Sequence, residues 1–162
     1  MALTTTQLQI LRTAALADPA AAAIITAGDT FSMQAWLNAK QTPAVKAWKT
    51  SYSGDDLYNA HKPVEYIARS AAERSAFDLM IARTVDPSKN VIRKGIEDIF
   101  SGASNSTSRA AILNDMQEKA TRAEVFIGGA TQVTATDAIS GLNRDFVGLV
   151  STNEARAVVQ GV

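Results

Sequence analysis

The sequence predicts a mainly α fold, a compact bundle of short helices with a minor β element, and three observations point there. Helix-opening signals recur along the chain, at Asp18-Pro19, Ser70-x-x-Glu73, Asp86-Pro87, Thr121-x-x-Glu124 and Ser151-x-x-Glu154. A Ser, Thr or Asp oxygen satisfies amides that the first helical turn leaves open, and a Glu three residues on reaches back to the cap amide. Proline at the first helical position gives up only an amide that has no partner. The apolar content is 46% but aromatics are 6%, so alanine carries much of it and helices pack closely around few large anchors. Those anchors are Trp36, Trp48, Phe77, Phe100, Phe126 and Phe146. Two stretches, near residues 44–52 and 130–150, lack a helical stripe and supply the β element.

The first helix runs from about Thr5 to Ala17, with Leu8, Leu11 and Ala15 on one face and Ile10 and Ala14 beside them. Asp18-Pro19 opens an alanine-rich second helix that ends at Gly28, a residue suited to a left-handed C-cap. Asp29 or Thr30 opens a third through Lys40, with Phe31, Ala35 and Trp36 or Leu37 inward. Thr42-Pro43 interrupts, and Ala44 to Tyr52 reads as an extended segment or short strand carrying Trp48. Ser53-Gly54-Asp55 is a turn, with Asp55 capping a short helix through Ala60 that Lys62-Pro63 breaks. Ser70 to Arg83 is the best-signalled helix. Asp86-Pro87 opens the next, striped by Val91-Ile92, Ile96 and Ile99-Phe100 and closed by Gly102. Gly95 inside it costs roughly 1 kcal/mol against alanine, which a close helix contact would justify. Ala103 to Ser106 is a polar joint, and Ser106 or Thr107 caps a helix to about Lys119. Thr121 restarts a short one ending at Gly128-Gly129. Ala130 to Ser140, rich in Thr and Ala, reads as a loop or extended arm, and Arg144 to Val150 as a small strand. Ser151 opens the terminal helix.

At 162 residues this reads as a single helical domain over 1–162, with extended or loop segments near 41–53 and 129–150. Lys plus Arg and Asp plus Glu both number 16, so the chain lacks the basic excess of a dedicated nucleic-acid binder and has little charge repulsion to keep copies apart. The absence of cysteine excludes disulfides, thiolate catalysis and cysteine-based zinc sites. The N-terminal residues do not read as a signal peptide, and the apolar stretch Ala14 to Ala27 is broken by Asp18-Pro19 and too short to span a bilayer.

Chemical candidates are sparse. His61 is the one histidine, in a polar turn with Asp55 and Asp56 upstream. A general base needs a nucleophile, an orienter and an oxyanion site, and none is identifiable, so it reads as a surface loop residue. Asp55-Asp56 and Glu97-Asp98 lack the oxygen-rich loop of a calcium site and read as solvated or capping carboxylates. Gly128-Gly129 follows a helix without the Lys-Ser/Thr of a phosphate loop. Lys89, Arg93 and Lys94 put positive charge on one helix, a candidate DNA or partner contact, against the plainer reading of a solvated face paired with Glu97 and Asp98. No catalytic, cofactor or metal residue is assigned, and the chain reads as no enzyme.

The order of segments carries a resemblance. It starts with "QLQILRTAALADPA", "AGD", "AWLN" and "TPAVKAW" with "KTS". "RSAAERSAFDLMI", "NVIRKGIEDIFSG", "SRAAIL", "KATRAEVFIGGAT" and "FVGLVSTNEARAVV" follow. This resembles a group of small proteins encoded among the virion-assembly genes of tailed bacteriophages. The resemblance implies a virion structural protein of the neck or tail region, a head–tail adaptor or connector, made in the host cytoplasm and carried in the virion. It implies a homo-oligomeric ring and other virion proteins, portal or tail components, as partners, with no membrane and no small-molecule substrate. The candidate assembly arm is Gln132, Val133, Thr134, Ala135 and Thr136, extended backbone that a neighbouring strand can pair with. The alternative is a small phage regulatory or host-interaction protein that binds a protein or DNA through the Lys89–Lys94 helix.

Overall fold

Capping decides where most helices begin. The computed structural model describes residues 2–128 and 149–161. In chain order its elements are α1 (Thr5–Ala17), α2 (Pro19–Ala27), α3 (Thr30–Asn38), β1 (Lys46–Trp48), α4 (Gly54–Ala60), α5 (Pro63–Ile67) and α6 (Ala71–Ile81). Then come α7 (Asn90–Ile99), a 3₁₀ turn at Ala103–Asn105, α8 (Ser106–Asp115), β2 (Gln117–Lys119), α9 (Arg122–Ile127) and α10 (Thr152–Gln160). The fold is mainly α with a two-stranded sheet, β1 paired with β2, as its minor β element. Among the described residues no single helix is long and apolar enough to cross a membrane. The contacts gather into two compact units, each with its own core. One comprises residues 2–45, 119–128 and 149–161, the other residues 46–118.

The first unit contains α1 to α3, α9 and α10. Thr4 caps α1 in a box with Gln7, whose amide donates to Thr4 Oγ1 at 3.3 Å while Thr4 N donates back to Gln7 Oε1 at 2.9 Å. Asp18 both ends α1 and starts α2. Its Oδ1 accepts from the amides of Ala20 (2.9 Å) and Ala21 (3.1 Å), and the two helix axes bend by 112° there. Gly28, at φ 69°, closes α2 in the left-handed region, and Asp29 caps α3. Leu11 and Ala15 face the core from α1, one helical turn apart. On α3 the core face is Met33, Trp36 and Leu37. Phe31 and Ala35, read as inward from the sequence, point out, and Phe31 is 75% exposed. The i, i+3, i+4 stripe of a three-turn helix starts at Met33, and Phe31 falls off it.

Helix α10 is held at both ends by polar groups. Asn38 grips the backbone of Val150, its Oδ1 accepting from the Val150 amide at 2.8 Å and its Nδ2 donating to the carbonyl at 2.9 Å. Glu154 completes the Ser151 capping box and also accepts from the Leu3 amide at 2.7 Å. Arg12 donates to the carbonyls of Val158 and Val159 at the far end, satisfying acceptors that the last turn leaves open.

The second unit packs α4 to α8 around Trp48, Phe77, Ile96, Phe100, Ile112 and Met116, all fully buried or nearly so. The Phe77 and Phe100 rings meet edge to face at 5.1 Å. Several boundaries differ from the sequence reading. Ser53, not Asp55, caps α4, accepting from the Asp56 amide at 3.1 Å. Lys62-Pro63 opens α5 instead of only ending α4, with the proline at the first helical position. Helix α7 starts at Asn90, because Asp86 Oδ1 is taken by the Ser88 amide (3.0 Å) and hydroxyl (2.6 Å) in a local turn that competes with helix. Val91 is consequently off the buried stripe and exposed. Helix α8 ends at Asp115, and Gln117–Lys119, read as its last turn, is the strand that pairs with β1. The strand read at Arg144 to Val150 lies outside the described residues up to position 148, and Leu149 and Val150 are in no strand.

Candidate functional site

The basic face of α7 is already engaged within its own unit. Arg93 lies over the Trp48 ring at 4.7 Å and donates to the carbonyls of Pro87 (2.7 Å) and Ser88 (2.8 Å). Burial lowers its pKa, against the opposing pull of Glu97 and Asp86. Lys94 bonds Asp98 at 2.8 Å with Glu97 at 3.9 Å, and the Asp98 hydrogen bond raises its pKa. Lys89 sits 4.0 Å from Asp86. The structure thus places Arg93 and Lys94 on α7 and Lys89 at its N-cap, each with a carboxylate or carbonyl partner. The candidate arm, Gln132 to Thr136, lies outside the described residues.

His61 is a correction to the sequence reading. It is not a surface loop residue but 8% exposed, at the C-terminal cap of α4. Its Nδ1 meets the Tyr58 carbonyl, and its ring lies 5.1 Å from Tyr58, 5.6 Å from Tyr66 and 5.4 Å from Phe77, steeply inclined to all three. The fold puts it there because α5, opened by Pro63, carries Tyr66 back over α4, and α6 supplies Phe77 from beneath. Tyr66 donates its hydroxyl to Asp78 Oδ1 at 2.8 Å, which pushes the phenol above its usual pKa. Tyr58, His61, Tyr66 and Asp78, with Pro63, Ile67 and Ile81, line a pocket of about 240 Å³ between α4, α5 and α6. Nothing local in the sequence marks this cluster, since its members come from three elements. The aromatic spacing Tyr58, His61, Tyr66 is the one signal available.

An apolar concavity of the first unit runs along α1. Gln9, Ile10, Thr13, Ala14 and Ala17, with Phe126 of α9, line an open groove of about 440 Å³. Phe126 stacks on Trp36 at 5.8 Å on its other side, and Arg122 lies over Trp36 at 4.8 Å. Ile10 and Leu16 are exposed along α1. Among the described residues no group of three or more His, Asp or Glu side chains is placed to hold a metal ion. Comparison of the chain with protein-family models, with curated proteins and with solved structures gives no match in any of the three.

Proposed function

We propose that this chain is a structural protein of the tailed-bacteriophage particle, a head–tail adaptor or connector of the neck or tail, that works by contact with copies of itself and with portal or tail components. The segment order resembling phage virion-assembly proteins supports the phage setting. One structural observation carries the mode of action: the apolar groove along α1, lined by Ile10, Ala14, Ala17 and Phe126. A groove of small and apolar side chains on a neutral chain suits a helix or apolar segment of the next subunit, and a head-to-tail contact of that kind closes into a ring when its rotation allows. Exposed apolar groups rimmed by polar ones mark protein contact surfaces. The reading through the Lys89–Lys94 helix has less behind it, because those cations are spent on intramolecular partners.

Two measurements test the proposal. Mass spectrometry of purified particles should find this chain at stoichiometric abundance, and its absence from particles would overturn the virion role. Sedimentation of the purified chain should show an oligomer that Ile10→Glu converts to monomer without loss of helical circular dichroism. An oligomer unchanged by Ile10→Glu would move the contact away from α1.

A further inference from the structure

Among the described residues, three aromatic side chains carry a cation of their own chain. Arg93 lies over Trp48, Arg122 over Trp36 and Lys49 over Tyr52, at 4.7, 4.8 and 5.0 Å. The Tyr58, His61 and Tyr66 cluster has the same kind of wall, yet among the described residues no cation lies over these rings. These rings border an open pocket of about 240 Å³ that the Asp78 carboxylate also lines.

We propose that the pocket between α4, α5 and α6 receives an arginine side chain of a partner protein, with Asp78 as its counter-ion and Tyr58 and Tyr66 as its stacking walls. Asp78 is exposed on α6 and uses Oδ1 for Tyr66. A carboxylate has about four lone-pair directions, so a second donor can be accepted. Among the described residues no Lys or Arg stands within ion-pair distance of Asp78. Arg74, one turn earlier on α6, is near enough to act on Tyr66 but forms no such pair. A guanidinium fits this arrangement better than an ammonium, because its plane stacks on aromatic faces while its edge donates to a carboxylate. Ile67 and Ile81 offer apolar surface to the aliphatic stem. Of the lining residues, Tyr58 and Ile67 are 58% and 67% exposed, apolar ground for the residues flanking the arginine.

This site is independent of the α1 groove and stands whether or not the chain belongs to a virion. The test is an NMR titration of the full chain with N-acetylarginine methylamide, read at the ring protons of Tyr58, His61 and Tyr66. The citrulline counterpart, isosteric but uncharged, and the lysine counterpart are run beside it. The arginine probe should shift these rings saturably, the lysine probe more weakly, and citrulline hardly at all. Asp78→Asn and Tyr58→Ala, both at exposed positions and checked for folding by circular dichroism, should each weaken arginine binding about tenfold, ~1.4 kcal/mol. Equal binding of citrulline would mean a merely apolar pocket, and equal or tighter binding of lysine would overturn the arginine assignment. No saturable shift of these rings up to the solubility of the probe would overturn the site.

Discussion

Two glycines show how differently one residue type is used. A Cβ built on Gly54 would fall 1.6 Å from the carbonyl oxygen of Ile81, so α4 lies directly against the end of α6 and only glycine fits. Gly54→Ala must push backbone from backbone, and chemical denaturation should show a loss of upwards of about 2 kcal/mol, by the overpacking mechanism. Gly95 is the reverse. Its built Cβ meets nothing nearer than Met80 Sδ at 4.0 Å, so the close helix contact expected there does not exclude a methyl. Gly95→Ala should stabilise the protein by roughly 0.5–1 kcal/mol, since alanine loses less backbone freedom in a helix. A destabilised Gly95→Ala would show that α7 sits closer to α6 than this geometry has it. Phe100 has no exposed surface and meets Phe77 edge to face. Phe100→Ala should cost about 3–5 kcal/mol, read as a shifted denaturation midpoint.

At the scale of the element, helix starts divide into those closed locally and those closed from afar. Thr121, Ser70 and Ser151 cap α9, α6 and α10 in boxes with Glu124, Glu73 and Glu154, and all three were legible, because cap and carboxylate are three residues apart. Helix α8 was not legible in this way. Asn105 at its N-cap makes no side-chain cap bond, and the open amides are served by Glu65 of α5, whose Oε2 accepts from the Ser108 amide at 2.8 Å. A carboxylate 43 positions away in sequence leaves no mark beside the helix it caps. The same holds for β2, whose Gln-Glu-Lys has no strand signature and is extended because β1 pairs with it. Burial alone would raise the Glu65 pKa, but hydrogen bonds from Ser108 and Thr107 outweigh it and hold the carboxyl below its ordinary 4.5. A carboxyl depressed in the folded state contributes stability above its unfolded pKa and loses it as pH falls through the folded value. Glu65→Gln should therefore cost on the order of 1–2 kcal/mol at neutral pH. The gap between the two proteins should narrow as pH drops below 4.5. A gap that stays constant with pH would remove the charge from the account.

Across the whole molecule, the described residues of the second unit form one unbroken stretch, 46–118, whereas the first unit is assembled from three separated stretches. The described core of the second unit therefore lies within that one stretch, from Trp48 to Met116. A fragment of residues 46–119, which keeps both strands, should show helical circular dichroism and a cooperative thermal transition. A fragment without cooperative melting would tie that core to residues outside it. The first unit has no such independence, because Leu11 and Ala15 near one end of the chain share a core with Ala155 and Val158 near the other. Synthesis on the ribosome runs in one direction, and domains usually fold in the order they emerge. Here that order is inverted. Residues 46–118 can pack while the ribosome is still at work, but α1 to α3, made before them, lack part of their core until Val150 to Val158 are released. The segment that leaves the exit tunnel ahead of the second unit is finished after it, and a nascent chain stalled before Ser151 would present α1 to α3 to chaperones as an incomplete fold.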